Sequence, residues 1–195
     1  MTLRIRIASR KSNLAIRQVE ILKEHLSKDI EINIIEVVTS GDKTLDKSLA
    51  DIGGKGLFIK ELENTILKDG ADIAVHSMKD METELAANTK IAGVLPRGSR
   101  SDVLLGKYAT FDDLPDGAVI GTSSVRRGAF AKSYRPDLQI KLLRGNVGTR
   151  IDKLNNGFFD AIILAKAGLD RLNIDLGYII PKEIIPPAST QGIIA

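Results

Sequence analysis

Short strand-like runs alternate with helix-like stretches along almost the whole chain, and no other feature narrows the fold as far. Leu3–Ser9 alternates Arg4 and Arg6 with Leu3, Ile5 and Ile7, a strand pattern. Ser12 can cap a helix running to about Leu26, with Ala15, Val19, Leu22 and Leu26 on one face. Glu31–Val38, Asp72–His76 and Lys90–Leu95 predict further strands, and Leu57–Asp69 a helix ended by Gly70. PRGSRSD, Pro96–Asp102, is a turn-rich break and the natural place for a domain crossover. The pattern then restarts, with strands over Asp102–Leu105, Ala118–Gly121, Gln139–Leu143 and Ala161–Leu164. The helices between them cover Ser123–Tyr134, Val147–Asn155 and Ala167–Leu172. Such alternation predicts an α/β fold of two lobes on mainly parallel sheets, with a cleft between them.

Composition removes whole classes of function. There is no cysteine, so disulfides, zinc–thiolate sites and thiol chemistry are excluded within these residues. The only histidines are His25 and His76, which predicts no multi-histidine metal site. A net charge of +3, with no basic block and no tryptophan, leaves a nucleic-acid role open but does not push toward it. No apolar run approaches the roughly 18 residues needed to span a bilayer. The N-terminus lacks the apolar core of an export signal, so the expected compartment is the cytoplasm. The closing IIPPASTQGIIA stops in mid-pattern, as an apolar strand begins, and reads as a chain cut short.

Candidate chemistry gathers where strands are expected to run into helices. GTSSVRR places Thr122, Ser123, Arg126 and Arg127 at one such turn, and LRGNVGTR places Arg144, Gly145, Gly148 and Arg150 at another. Helix N-termini offer free amides and a positive dipole end to anions. Guanidinium forks match carboxylate or phosphate, and glycines let backbone approach a ligand closely. Against this stands the reading that the arginines are solvated, or pair with Asp137 and Asp152. DIAVHSMKD ends a short apolar strand in Ser77, Lys79 and Asp80, a place for an acid, base or counter-ion, or for an exposed ion pair of little worth. His76 reads as a satisfied core side chain. IGGKGLF, with Lys55, is a weak phosphate-loop signal and equally a lid, and IASRKSNLA sets Arg10 and Ser12 at a third anion-friendly turn.

IASRKSNLA, TSGD, GGKGLFIKELE, DIAVHSMKD, GTSSVRR, LRGNVGTR, DAIILAKAGL and PPASTQG, in this order and at this spacing, resemble hydroxymethylbilane synthase, also called porphobilinogen deaminase. The resemblance covers nearly the whole chain. It implies a cytoplasmic, monomeric transferase of tetrapyrrole and heme biosynthesis, with no nucleic-acid or membrane partner. Such an enzyme condenses four porphobilinogen units head to tail into linear hydroxymethylbilane and releases ammonia. It builds on a dipyrromethane cofactor joined by thioether to a cysteine. Each pyrrole carries an acetate and a propionate, which supplies the anion that the arginine turns call for. By motif, Asp80 resembles the catalytic aspartate. Lys79, Thr122, Ser123, Arg126, Arg127, Arg144 and Gly145 resemble cofactor-binding positions, while Arg10, Ser12, Arg150, Arg171 and Lys55 resemble substrate-binding ones.

The same resemblance implies lobes like those of periplasmic binding proteins, residues 1–97 completed by 187–195, and residues 98–186. A third domain bearing the cofactor cysteine is absent from this chain, so turnover by these residues alone is not expected. Met81-Glu82 stands where the family usually has Val-Pro, which restores an N–H donor and adds a carboxylate near Asp80. The alternative is an anion-binding module of the same two-lobed fold. Neither an export signal nor a helix-turn-helix accompanies it here, and the clustered motifs favour the synthase.

Overall fold

A computed structural model describes residues 2–40 and 59–195. The chain divides into two compact units, Met1–Arg97 with Ile193–Ala195, and Gly98–Gly192. Residues 187–192 thus belong to the second unit, where the Gln191 side chain is bonded to Arg100, Ser101 and Asp102.

The first unit is built on three parallel strands in the order β2-β1-β3: β1 (Leu3–Arg10), β2 (Ile30–Val37) and β3 (Ile73–Ala74). Alternation along β1 sends successive side chains to opposite faces. Ile7 packs with Val19 of α1 (Asn13–His25), and Ala8 packs with Leu62 of α2 (Lys60–Leu67). A parallel sheet needs both faces covered, which is why both residues are fully buried. Ser12 caps α1, its Oγ accepting from the Ala15 N–H at 3.3 Å. A Schellman closure ends α2, with Asp69 N–H to Ile66 O and Gly70 N–H to Thr65 O. The left-handed residue there is Asp69 (φ 55°), not the expected Gly70. Arg6 steadies it by donating to the Asp69 carbonyl and carboxylate.

Lys90–Leu95 forms no strand. Among the described residues, its one ladder-like bond runs from Leu95 N–H to Ile194 O, and Ile91 and Val94 are exposed. The closing residues instead pair with the segment after β3: His76 and Ala195 exchange both backbone bonds, and Met78 N–H reaches Ile193 O. Ile194 is thereby buried in the first unit's core.

The second unit holds five strands in the order β6-β5-β7-β4-β8. They are β4 (Asp102–Gly106), β5 (Val119–Gly121), β6 (Gln139–Lys141), β7 (Ala161–Ala165) and β8 (Tyr178–Ile179). β5 runs parallel to β6 and β7, whereas β4 is antiparallel to β7 and β8. The sheets are thus mainly parallel, with one reversed strand and a short edge strand, β8, that the apolar pattern does not announce. Its Tyr178 and Ile179 stay exposed, so β8 lacks the buried alternation that would mark it. The three helices are α3 (Val125–Tyr134), α4 (Val147–Asn155) and α5 (Lys166–Arg171). Ala131 of α3 joins Leu104, Ile120 and Ile163 on one face. Val103, Leu105, Leu143, Ile162 and Leu164 pack with Ile151 of α4 and Leu169 of α5 on the other.

Candidate functional site

In the second unit, β5 and β6 are hydrogen-bonded parallel neighbours, so their strand-to-helix turns emerge side by side at the carboxyl edge. At the first turn, Thr122 Oγ1 accepts from Ser124 N–H (3.1 Å), and Ser124 Oγ caps α3 by accepting from Arg127 N–H (3.4 Å). At the second, Asn146 Oδ1 caps α4 by accepting from Thr149 N–H (2.9 Å). Gly145 holds φ at 115°, where a Cβ would meet Thr149 Cγ2 at 2.8 Å. The turns are stitched together: Leu143 N–H donates to Thr122 O, and Ser123 Oγ donates to Leu143 O. Neither α3 nor α4 carries an acid in its first turn, so neither helix start opposes an anion with its own side chains.

The structure places the expected basic residues unequally. Arg126 and Arg127 pair with neither Asp137 nor Asp152; both grip Asp102. Arg126 Nη2 lies 2.6 Å from Asp102 Oδ2, and Arg127 Nη2 lies 2.7 Å from Oδ1. Arg127 also donates to Ile163 O at 3.3 Å, and its Nε is buried with no partner among the described residues. The side chain of Asp102 is 1% exposed, that of Arg127 8% and that of Arg126 23%, so of this trio Arg126 is the one that reaches solvent. Burial by itself pushes the Asp102 carboxyl up, but the hydrogen bonds and charges of Arg127 and Arg126 hold it below the usual carboxylate range. Arg144 is buried, and Arg150 Nε donates to Gly145 O at 2.7 Å across the turn. Arg171 closes α5 and donates to Gly192 O at 2.7 Å; burial draws its guanidinium below its ordinary value, against the pull of Asp170.

In the first unit, parallel β1 and β3 likewise end together. The loop after β1 supplies Arg10 and Ser12; the segment after β3 supplies His76, Ser77 and a 3-10 turn, Met78–Asp80. Arg10, Ser12, His76, Ser77 and Asp80 line one cavity of about 70 Å³. Gln18, buried on α1, donates to Ser77 Oγ at 2.7 Å and also lines it. His76 is therefore a cavity-lining imidazole rather than a core side chain. Burial pushes its pKa below the ordinary value; Asp80 opposes that shift and the Arg10 charge adds to it, so the ring is neutral at pH 7. Lys79 and Asp80 are exposed. Lys55 and the whole of IGGKGLF, residues 52–58, lie outside the described residues.

Asp102 and Gln191 escape a reading by motif. Asp102 looks like the polar first residue of an apolar strand, DVLLG; only tertiary structure brings the two arginines onto it. The available signal is a lone acid heading a strand whose other side chains are buried, since such an acid needs a cationic partner.

A family model described as "Porphobilinogen deaminase, dipyromethane cofactor binding domain" matches residues 5–195. The chain belongs to the porphobilinogen deaminase family. A porphobilinogen deaminase of Buchnera aphidicola is 46% identical over 196 residues, covering 97% of this chain and 62% of its own length. One of Francisella tularensis is 49% identical over 195 residues, covering 97% and 65%. A probable porphobilinogen deaminase of Ignicoccus hospitalis is 46% identical over 200 residues, covering 98% and 66%. The chain thus spans 62–66% of the length of these curated relatives. Among solved structures, a TRAP periplasmic solute-binding protein of Desulfovibrio salexigens matches with a TM-score of 0.53 at 13% identity, over 89% of this chain and 60% of that one. A putative methionine-binding lipoprotein of Bacillus subtilis matches at 0.51 and 14%, over 98% and 83%. At such identity the likeness is one of fold, the two-lobed class of periplasmic binding proteins.

The residues present suit the dipyrromethane named in the family model. A dipyrromethane bearing acetates and propionates requires several cationic donors close together. The paired turns set Arg126, Arg144 and Arg150 beside hydroxyls and helix N-termini, with the buried acid Asp102 held by Arg126 and Arg127. The 195 residues hold no cysteine, so no thioether anchor lies within them.

Proposed function

We propose that the chain carries the pyrrole-binding part of a porphobilinogen deaminase, a transferase of tetrapyrrole and heme biosynthesis. The observation that carries this is the pair of arginine-bearing turns, stitched side by side at one sheet edge in a member of that family. Thr122, Ser123, Arg126, Arg127, Arg144 and Gly145, with Lys79, serve the cofactor's acidic side chains. Arg10, Ser12, Arg150, Arg171 and Lys55 serve those of porphobilinogen. When bound, the dipyrromethane supplies the pyrrole terminus to which substrate units are joined.

Asp80 is assigned to the reacting ring. The substrate's aminomethyl C–N bond breaks and ammonia leaves, so positive charge spreads over the pyrrole. A carboxylate at the ring N–H stabilises that charge. The bound dipyrromethane would offer an unsubstituted pyrrole carbon for the new C–C bond, and Asp80 would take the proton which that carbon gives up. Neutral His76 and the Arg10 guanidinium share its cavity, so the site holds a cation for a substrate carboxylate beside the acid. We also assign the chain to the cytoplasm as a monomer; no helix among the described residues is long and apolar enough to cross a membrane. Without a cysteine, these residues by themselves bind rather than turn over.

Titration calorimetry with porphobilinogen tests the reading. The chain is expected to bind, more weakly as salt rises. Arg150→Gln is expected to lower affinity by roughly 10-fold or more, the worth of a charged hydrogen bond. A chain that does not bind porphobilinogen overturns the proposal.

A further inference from the structure

The pair Arg126–Arg127 is an unusual thing to bury: two permanent charges on adjacent residues at a helix start. What makes it tolerable is Asp102, the first residue of β4, which takes one guanidinium on each carboxylate oxygen. Gln191 completes the arrangement from far along the chain. Its amide donates to Asp102 Oδ1 at 2.8 Å, to Arg100 O at 2.7 Å and to Ser101 O at 3.2 Å, while its carbonyl faces Arg126 Nη2 at 3.5 Å. Arg126 is further fixed through Nη1, which donates to Pro186 O. The four side chains come from β4, α3 and the segment before Gly192, so they form a tertiary lock and not a local turn.

We propose that Asp102, held by Gln191, is a positioning residue that aims Arg126 for ligand carboxylates. The proposal rests on the reading of this edge as a pyrrole-carboxylate site. Each partner has a distinct part. Arg127 is almost wholly enclosed and backs the carboxylate. Asp102 neutralises one of the two charges, leaving one net positive charge at the turn. Arg126 keeps part of its surface exposed and presents that charge. Long arginine side chains otherwise lose several rotatable bonds on binding an anion; a guanidinium already clamped has lost them in the folded state. Asp102 itself, 1% exposed, touches no ligand and acts through Arg126.

The test joins two readouts on this chain. The first is the rotation rate of the Arg126 and Arg127 guanidinium groups by nitrogen NMR. It is expected to be slow in the wild type and fast in Asp102→Asn, with an unchanged far-UV spectrum. Equal rates in the two proteins overturn the inference. The second is a double-mutant cycle in porphobilinogen affinity. Asp102→Asn and Arg126→Gln are each expected to weaken binding roughly 10-fold, the loss of one charged hydrogen bond, and the double variant hardly more than either. Losses that multiply, to roughly 100-fold, mean that Asp102 acts only on general stability, and so contradict the positioning role. If the wild-type chain fails to bind porphobilinogen, the proposed function falls, and the rotation rates still decide whether Asp102 clamps Arg126. Should Asp102→Asn not fold, Gln191→Leu replaces it. That variant removes the Gln191 amide bonds and leaves both ion pairs, and it is expected to speed Arg126 rotation with the fold intact; an unchanged rate there overturns the inference as well.

Discussion

At the scale of single residues, the buried Asp102 carboxylate is paired with two guanidiniums. Asp102→Ala leaves the buried Arg127 guanidinium and the partly exposed Arg126 without their anion. Breaking a buried pair in this way costs about 3–5 kcal/mol, which urea denaturation will register. The pH dependence has a definite sign. The Asp102 carboxyl is depressed in the folded state, so its contribution is fully present above the ordinary aspartate value and is lost as pH falls through the folded one. Asp72 acts in the same direction, chiefly through its side-chain hydrogen bond with Arg6. Stability should therefore fall steeply in acid, and Asp102→Asn should flatten that limb while lowering stability at neutral pH. His76 works on a different window. Its folded value is lowered by burial, so the unfolded chain takes up the proton first and stability declines as pH drops below about 6.5. Proton NMR should show His76 titrating below the ordinary imidazole value; titration at or above that value would contradict its enclosed position.

At the scale of elements, the turns depend on backbone conformations that few residues can adopt. Gly145 sits at φ 115° with Thr149 pressed against the missing side chain. Gly145→Ala is expected to cost about 1–2 kcal/mol from the strained conformation alone. It should also weaken porphobilinogen binding by pushing apart the Arg144 and Arg150 turn; unchanged affinity would remove Gly145 from the site. Gly121 answers a packing demand. A Cβ there would meet Phe159 Cδ1 at 2.8 Å and Ile162 Cγ2 at 2.9 Å, and Gly121→Ala should cost about 1–3 kcal/mol by overpacking. Elements with strong local signals were legible in the sequence. The α1 cap at Ser12, α4 over Val147–Asn155 and the apolar strands β4 and β7 lie where periodicity and capping put them, to within a residue. The misses have tertiary causes. Lys90–Leu95 has a strand's composition but, among the described residues, one ladder-like bond, and β8 gains its strand character only by pairing with β4. At the α2 terminus, Arg6 makes a left-handed Asp69 tolerable, which no local rule foresees.

At the scale of the molecule, the sequence carried more of the function than of the wiring. Arginines at two strand-to-helix turns pointed to a polyanion, and the family model that matches the chain names a dipyrromethane cofactor, to which the proposed function assigns them. What the motifs hid is the division of labour among those arginines, because Asp102 and Gln191 meet them only in the folded second unit. Asp80 illustrates the reverse case: its motif marked it, while the structure adds its company, a neutral His76, Arg10 and Ser12 around one small cavity. In any chain context that consumes porphobilinogen, Asp80→Ala should abolish consumption with an unchanged far-UV spectrum. Persistent consumption would take Asp80 out of the chemistry.

Backbone amide shifts during a porphobilinogen titration locate the bound pyrrole residue by residue. Binding at the proposed site predicts the largest changes at Thr122–Ser124, Arg144–Asn146 and His76–Asp80, shrinking together as salt is added. Silence at all three, or changes centred instead on the Lys107, Asn155 and Leu176 groove of the second unit, would contradict it.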